Sequence, residues 1–321
     1  MSSRQEDSRR LMASGKPVST GEILSRLGYD YISFEIPPEL PELSDIRFGD
    51  LLPELKRSES EVCRRIADQR LYMHQVRGLE ALRNGENLVL KSGTGSGKTE
   101  VWFLKVALDR VKALAIYPTL ALANDQLNRL REYGGALGLE VMALDAVKRD
   151  ELVKEHGFRE LRRRLAEASI VITNPAFLLN ELKKLGSGKP SLLKGFLENM
   201  GLLVVDDFDF YGPRSIALLF SMIKLLARIV QPRMQLAFMT AALANPEEVA
   251  EYLTSINRKP TRIVDGKPFH PKNTVYIVLG KSLKALWERI RERLRDVEDE
   301  LGEDVRRALE DFQVFKRLYF K

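Results

Sequence analysis

The stretch Ser92-Gly93-Thr94-Gly95-Ser96-Gly97-Lys98-Thr99 has the residue types needed to hold a polyanion. Gly93, Gly95 and Gly97 let backbone N–H groups turn toward phosphate oxygens without Cβ clashes. Thr94 and Ser96 are small residues between them. Lys98 can reach the β and γ phosphates of a nucleotide, and the Thr99 hydroxyl can hold Mg²⁺. The strict phosphate-loop pattern opens on glycine; here Ser92 stands in that place, and its size fits. The bland reading is a flexible Gly/Ser loop. A second stretch, Leu-Leu-Val-Val-Asp-Asp-Phe-Asp at 202–209, ends an apolar run in carboxylates. Alone it reads as a solvated turn or as a metal-assisted phosphate site. With a phosphate loop in the same chain, Asp206 becomes a second Mg²⁺ contact, made through water. Asp207 then falls where a base orients attacking water. Catalytic roles are expected for Lys98, Asp206 and Asp207.

These groups need a scaffold that brings residues 92–99 and 206–207 together. Short apolar runs at 87–91, 113–118, 139–146, 169–174, 202–207 and 235–240 read as strands, each followed by a helical stretch. That alternation predicts a mostly parallel sheet covered by helices on both faces. In such sheets ligands bind at the carboxyl ends of strands, where both motifs lie. Residues 1–57 read as an N-terminal extension, polar and mobile at first, then proline-rich and extended over 35–56. Residues 58–280 form the central lobe. In residues 281–321 apolar side chains recur every three or four positions amid mixed charge. That spacing predicts a helical tail or bridge, bent near Gly302.

Composition narrows the class. A hydrophobic content of 44% with 30% charged residues describes a globular chain, not a disordered one. One cysteine, Cys63, excludes an internal disulfide and a cysteine-based zinc site. The first twenty residues lack the apolar stretch of a signal peptide. The greasiest segment, 215–230, contains Lys224 and Arg228 and is too short to span a bilayer. A soluble, cytoplasmic protein with no membrane partner is expected. The net charge of +6 is compatible with a polyanionic partner.

Taken in order, the motifs resemble those of the superfamily 2 helicases, in the DEAD/DEAH-box branch, over residues 70–255. The segment 71–82 looks like the Q-motif, with Gln75 in the place of the adenine-reading glutamine. Residues 92–99 match motif I. "YPTLALANDQ" at 117–126 resembles motif Ia, with Pro118 and Thr119 in register. "ITNPAFLL" at 172–179, with Thr173 and Asn174, resembles the motif Ib form of the YprA-like helicases. Asp206-Asp207 falls on motif II, and Thr240-Ala241-Ala242 on motif III. The resemblance implies a RecA-like P-loop lobe that uses ATP and Mg²⁺. It implies that Pro118, Thr119, Thr173 and Asn174 hold single-stranded DNA or RNA, and that Thr240 and Ala241 couple the two sites. From their types, either threonine could instead cap a helix.

Two departures affect the chemistry. Motif II normally reads Asp-Glu, and motif III normally ends in a hydroxyl residue where this chain has Ala242. The family motor also has a second RecA-like lobe bearing an arginine finger, expected here in cis or from a partner. The resemblance therefore implies a nucleic-acid-dependent ATPase, weak as an isolated lobe. The alternative is a helicase-derived scaffold that binds nucleotide or a partner and hydrolyses little.

Overall fold

The structure, a computed structural model, describes residues 19–230, 234–266, 272–281, 283–295 and 301–319. The polar segment 1–18 and part of the helical tail, 296–300, lie outside the described residues. The chain divides into two compact units, Leu40–Phe269, and Met1–Glu39 together with His270–Lys321.

The strands in chain order are β1 (Tyr29–Ile36), β2 (Leu43–Arg47), β3 (Arg70–Tyr72), β4 (Asn87–Lys91), β5 (Lys112–Ile116), β6 (Val141–Leu144), β7 (Ile170–Thr173), β8 (Met200–Val205), β9 (Gln235–Thr240), β10 (Thr261–Asp265) and β11 (Asn273–Lys281). The larger unit holds a seven-stranded, all-parallel sheet in the order β10-β4-β9-β8-β5-β7-β6. This is the expected fold class. A parallel sheet must be covered on both faces, and its strands accordingly read as unbroken apolar runs. The period-two alternation of each strand divides it between two cores. Leu88, Leu90, Ala113, Ala115, Leu202 and Val204 enter one, around Trp102 and Phe103 of the helix Lys98–Asp109. Val89, Leu114, Ile116, Leu203, Val205 and Phe238 enter the other, against the helix Pro213–Val230. That helix buries Leu219, Met222, Ile223 and Leu226 and leaves Lys224 and Arg228 exposed. Among the described residues no helix is long and apolar enough to cross a membrane.

Two stretches of this unit differ from the sequence reading. Strand β10, "TRIVD", pairs with β4 at the sheet edge. The proline-rich segment is not extended throughout. It includes short helices Phe48–Leu51 and Pro53–Arg57, with Pro53 in the first turn. Proline is tolerated there because its missing N–H would have no intrahelical partner.

The smaller unit is a two-stranded antiparallel ribbon, β1 with β11, flanked by the helix Thr20–Arg26. The helices Leu283–Leu294, Glu303–Glu310 and Phe312–Tyr319 follow it, with Gly302 capping the second. Trp287, Ala308 and Phe315 form their small core, and the Trp287 indole N–H donates to Ala308 C=O at 2.8 Å.

Candidate nucleotide-binding site

Strand β4 delivers the chain into the loop 92–97, and the helix Lys98–Asp109 starts directly after it. Gly95 and Gly97 take φ of +77° and +75°, the left-handed region that costs glycine nothing. Any Cβ at Gly97 would come within 2.3 Å of Gln75 Nε2. The loop is braced from inside. Ser92 Oγ and Ser96 Oγ are 2.6 Å apart, so the serine that replaces the expected glycine ties the two ends of the loop together. His74 Nε2 donates to Ser96 C=O at 2.9 Å. A carbonyl can only accept, so this fixes the tautomer. Burial pushes the His74 pKa below its usual value, favouring that neutral ring.

Lys98 is buried, and its Nζ donates to Ser92 C=O at 2.9 Å and Gly93 C=O at 3.1 Å. Among the described residues it forms no ion pair. Burial lowers its pKa, against the opposing pull of Asp206, Asp207 and Asp209. A buried ammonium held only by neutral carbonyls, beside a glycine-lined turn at a helix N-terminus, is a donor set suited to a phosphate.

Asp206 directly follows β8 and is 2% exposed. Its Oδ2 accepts the Tyr117 hydroxyl at 2.8 Å and the Thr99 hydroxyl at 3.2 Å; its Oδ1 accepts Asp207 N–H at 3.0 Å. Burial raises its pKa, while the Tyr117 hydrogen bond and Lys98 oppose the rise. The Tyr117 phenol is itself pushed well up by burial and by Asp206. Asp207 sits in the left-handed region at φ +51°, a conformation costly for most side chains. Burial, then the neighbouring Asp206 carboxylate, raises its pKa to about 6. Among the described residues no group of three or more His, Cys, Asp or Glu is set to cage a metal ion. Thr99 and Asp206 offer two oxygens, which suits a magnesium that keeps its waters and nucleotide oxygens.

The structure brings Lys98, Thr99, Asp206 and Asp207 to one cleft of ≈ 180 Å³. Gln75 lines the same cleft, yet its amide already works within the protein. Its Oε1 accepts Tyr72 N–H and its Nε2 donates to Gly97 C=O, each at 2.9 Å. Each atom keeps a second hydrogen-bonding position. Beyond Gln75 the cleft continues along Phe48, Ile66, Arg70 and Tyr72, none of which the sequence singled out.

Motif III meets motif II through Asp209. Its Oδ1 accepts Ala241 N–H at 3.0 Å and lies 3.0 Å from Thr240 Oγ1, which is also 2.9 Å from Ala242 C=O. On the neighbouring loops, Thr119 caps the helix Leu120–Leu137, accepting Leu122 N–H at 3.3 Å, and is exposed. Pro118 is half-buried. Asn174 caps the helix Pro175–Gly186, accepting Phe177 N–H at 2.9 Å. Thr173 is fully buried, and its hydroxyl donates to Leu144 C=O at 2.6 Å.

Comparison with known proteins gives a consistent result. Residues 72–249 match the DEAD/DEAH box helicase family. An ATP-dependent helicase of Methanocaldococcus jannaschii is 30% identical over 71% of this chain and 34% of its own length. The ATP-dependent helicase YprA of Bacillus subtilis is 29% identical over 69% of this chain and 29% of its own. The chain thus spans about a third of the length of these relatives. A crystal structure of the DUF1998 helicase MrfA bound to DNA and AMPPNP superposes with a TM-score of 0.61, at 24% identity, over 86% of this chain and 39% of that one. At that identity the likeness concerns the fold.

Proposed function

Because the chain belongs to the DEAD/DEAH box helicases, we propose that it is the ATP-binding RecA-like lobe of a nucleic-acid-dependent ATPase. The observation that carries the reading is the buried Lys98 ammonium, held on the carbonyls of a glycine turn and facing the Thr99–Asp206 pair. Lys98 and the loop N–H groups would bind the β and γ phosphates. Thr99 and Asp206 would hold Mg²⁺, which neutralises phosphate charge when bound. Asp207 would orient a water and take its proton. Gln75 would use its second donor and acceptor positions on the adenine edge while bracing Gly97. Asp209 ties Thr240 and Ala241 to motif II and so stands where nucleotide state reaches the neighbouring loops.

DNA is the favoured polymer, since the MrfA structure that this chain resembles holds DNA. Exposed Thr119 and half-buried Pro118 and Asn174 would contact phosphates of a single strand, fixing register without reading bases. Strand separation would need closure against a second lobe, in cis or from a partner. An arginine finger from such a lobe is worth about 10³–10⁵ in turnover. A scaffold role is favoured by Asp207 in place of glutamate and by Ala242.

Steady-state ATP hydrolysis, measured with and without single-stranded DNA or RNA, separates the two. Stimulation by nucleic acid that is lost in Asp206→Asn supports the ATPase. Tight nucleotide binding without stimulated turnover, even with a second lobe supplied, supports the scaffold.

A further inference from the structure

Strand β5 runs from Lys112 through apolar residues to Ile116, and Tyr117 follows it directly, ahead of Pro118. The register explains where this side chain goes. β5 pairs with β8 in parallel, with Ile116 opposite Val205. One step further sets Tyr117 beside Asp206. Alternation sends both side chains to the face shared by Ala113, Ala115, Leu202 and Val204. The helix that begins with Lys98 and Thr99 lies on that same face. A phenylalanine would fill this site as well as tyrosine does, since the ring is 1% exposed and packed in the core. What tyrosine adds is a hydroxyl, and a buried phenol needs a partner. That partner is Asp206 Oδ2 at 2.8 Å, the oxygen that also accepts Thr99 Oγ1 at 3.2 Å.

The carboxylate is therefore held from three directions: the Tyr117 hydroxyl, the Thr99 hydroxyl and the Asp207 N–H. Thr99 would give an oxygen lone pair to the metal when nucleotide binds, so its hold on Asp206 is tied to the occupancy of the site. Tyr117 has no such second duty. Its backbone is pinned as well, with its N–H donating to Thr173 C=O at 2.9 Å, and Asp206 N–H donating to Ile116 C=O at 3.0 Å.

We propose that Tyr117 is a positioning residue for the divalent cation. Its hydroxyl fixes the Asp206 carboxylate in the orientation that receives the hydrated metal, acting through that carboxylate from the buried wall of the same cleft. The inference rests on the proposed function and deepens it. Outer partners of this kind typically set about 10–100-fold in metal affinity.

The test is binding of a fluorescent ADP analogue to the full chain, titrated in excess MgCl₂ and again in EDTA. The ratio of the two affinities is the gain due to the metal. Tyr117→Phe keeps the ring in the core and should keep the melting temperature of the nucleotide-free protein within a few degrees. It should reduce the metal-dependent gain about ten-fold and leave the affinity in EDTA unchanged. Asp206→Asn should remove the same gain, and Tyr117→Phe in that background should cause no further loss. A full metal-dependent gain in Tyr117→Phe overturns the inference alone. So does an equal loss in EDTA and MgCl₂, which would mean that the hydroxyl merely supports the loop. Absence of nucleotide binding by the wild-type chain overturns the proposed function and this inference with it.

Discussion

Replacing Lys98 by methionine separates its role in binding from its role in stability. The side chain keeps its approximate length, and only the ammonium is lost. In the nucleotide-free protein two effects oppose each other. Removing a buried, unpaired cation relieves a desolvation cost of several kcal/mol. Losing the donor leaves the Ser92 carbonyl without its partner, at about 1–3 kcal/mol, and takes from the Gly93 carbonyl one of two bonds, since Ser96 N–H still donates to it at 3.3 Å. The two nearly cancel, so the melting temperature should move by no more than about 4 °C. With nucleotide the outcome is one-sided. Each hydrogen bond to a charged group is worth about 1.5–3 kcal/mol, so losing two on the phosphates weakens binding by about 10²–10⁴-fold. Ligand at 100 times its Kd stabilises the folded chain by about 2.7 kcal/mol, a rise of roughly 5–10 °C for a domain of this size. A thermal melt of wild type and Lys98→Met, with and without Mg-ADP, reads both quantities. Wild type should show the rise, and the variant should show at most about 1–2 °C at the same concentration. A variant that keeps the full ligand-induced rise would refute the assignment of residues 92–99 as a phosphate site.

Three further outcomes follow from the site. Asp207 has a folded-state pKa of about 6, above its ordinary 3.8, so its ionisation is disfavoured by folding and stability falls as pH rises from about 4 to 6. Asp207→Asn tolerates the left-handed backbone and should melt above wild type at pH 8, with the difference gone below pH 4; a difference that is constant across that range would rule out the carboxylate as its source. Asp209→Ala removes the acceptor shared by Thr240 and Ala241 N–H, and should cost about 1–3 kcal/mol in denaturant unfolding. Thr173→Val should cost about 1–2 kcal/mol because its hydroxyl serves Leu144, yet leave single-strand affinity unchanged, whereas a large drop in affinity at unchanged stability would return Thr173 to the nucleic-acid face.

The parallel sheet was legible because its strands are short, continuous and apolar, and because helical periodicity separates them. The sequence bounds at 87–91 and 235–240 coincide with β4 and β9. That the loop after β4 and Asp206 meet in one cleft was legible for a similar reason, since each is a local pattern at the carboxyl end of an apolar strand. Strand β10 was missed because "TRIVD" alternates over only a few residues after Pro260. The β1–β11 ribbon was missed because its two strands lie near opposite ends of the chain, and no local signal joins them. Tyr117 and Asp209 were missed as partners because their roles arise from register, which single-sequence patterning does not carry. A signal for Tyr117 did exist: a hydroxyl at the end of an otherwise greasy strand has to be satisfied by something.

The pairing of β1 with β11 also sets a timetable for synthesis. Ile36 finds its partner in Asn273, and Tyr29 in Lys281, so the first strand leaves the ribosome long before the last exists. At about 5–20 residues per second the wait is on the order of ten seconds to a minute. In that interval the whole seven-stranded sheet can form and close, while Ile32 and Phe34 lack the cross-strand neighbours they meet in the finished ribbon. Of the two units the smaller therefore matures later, and until β11 emerges its first strand is a natural client for whatever shields nascent apolar segments in the cell.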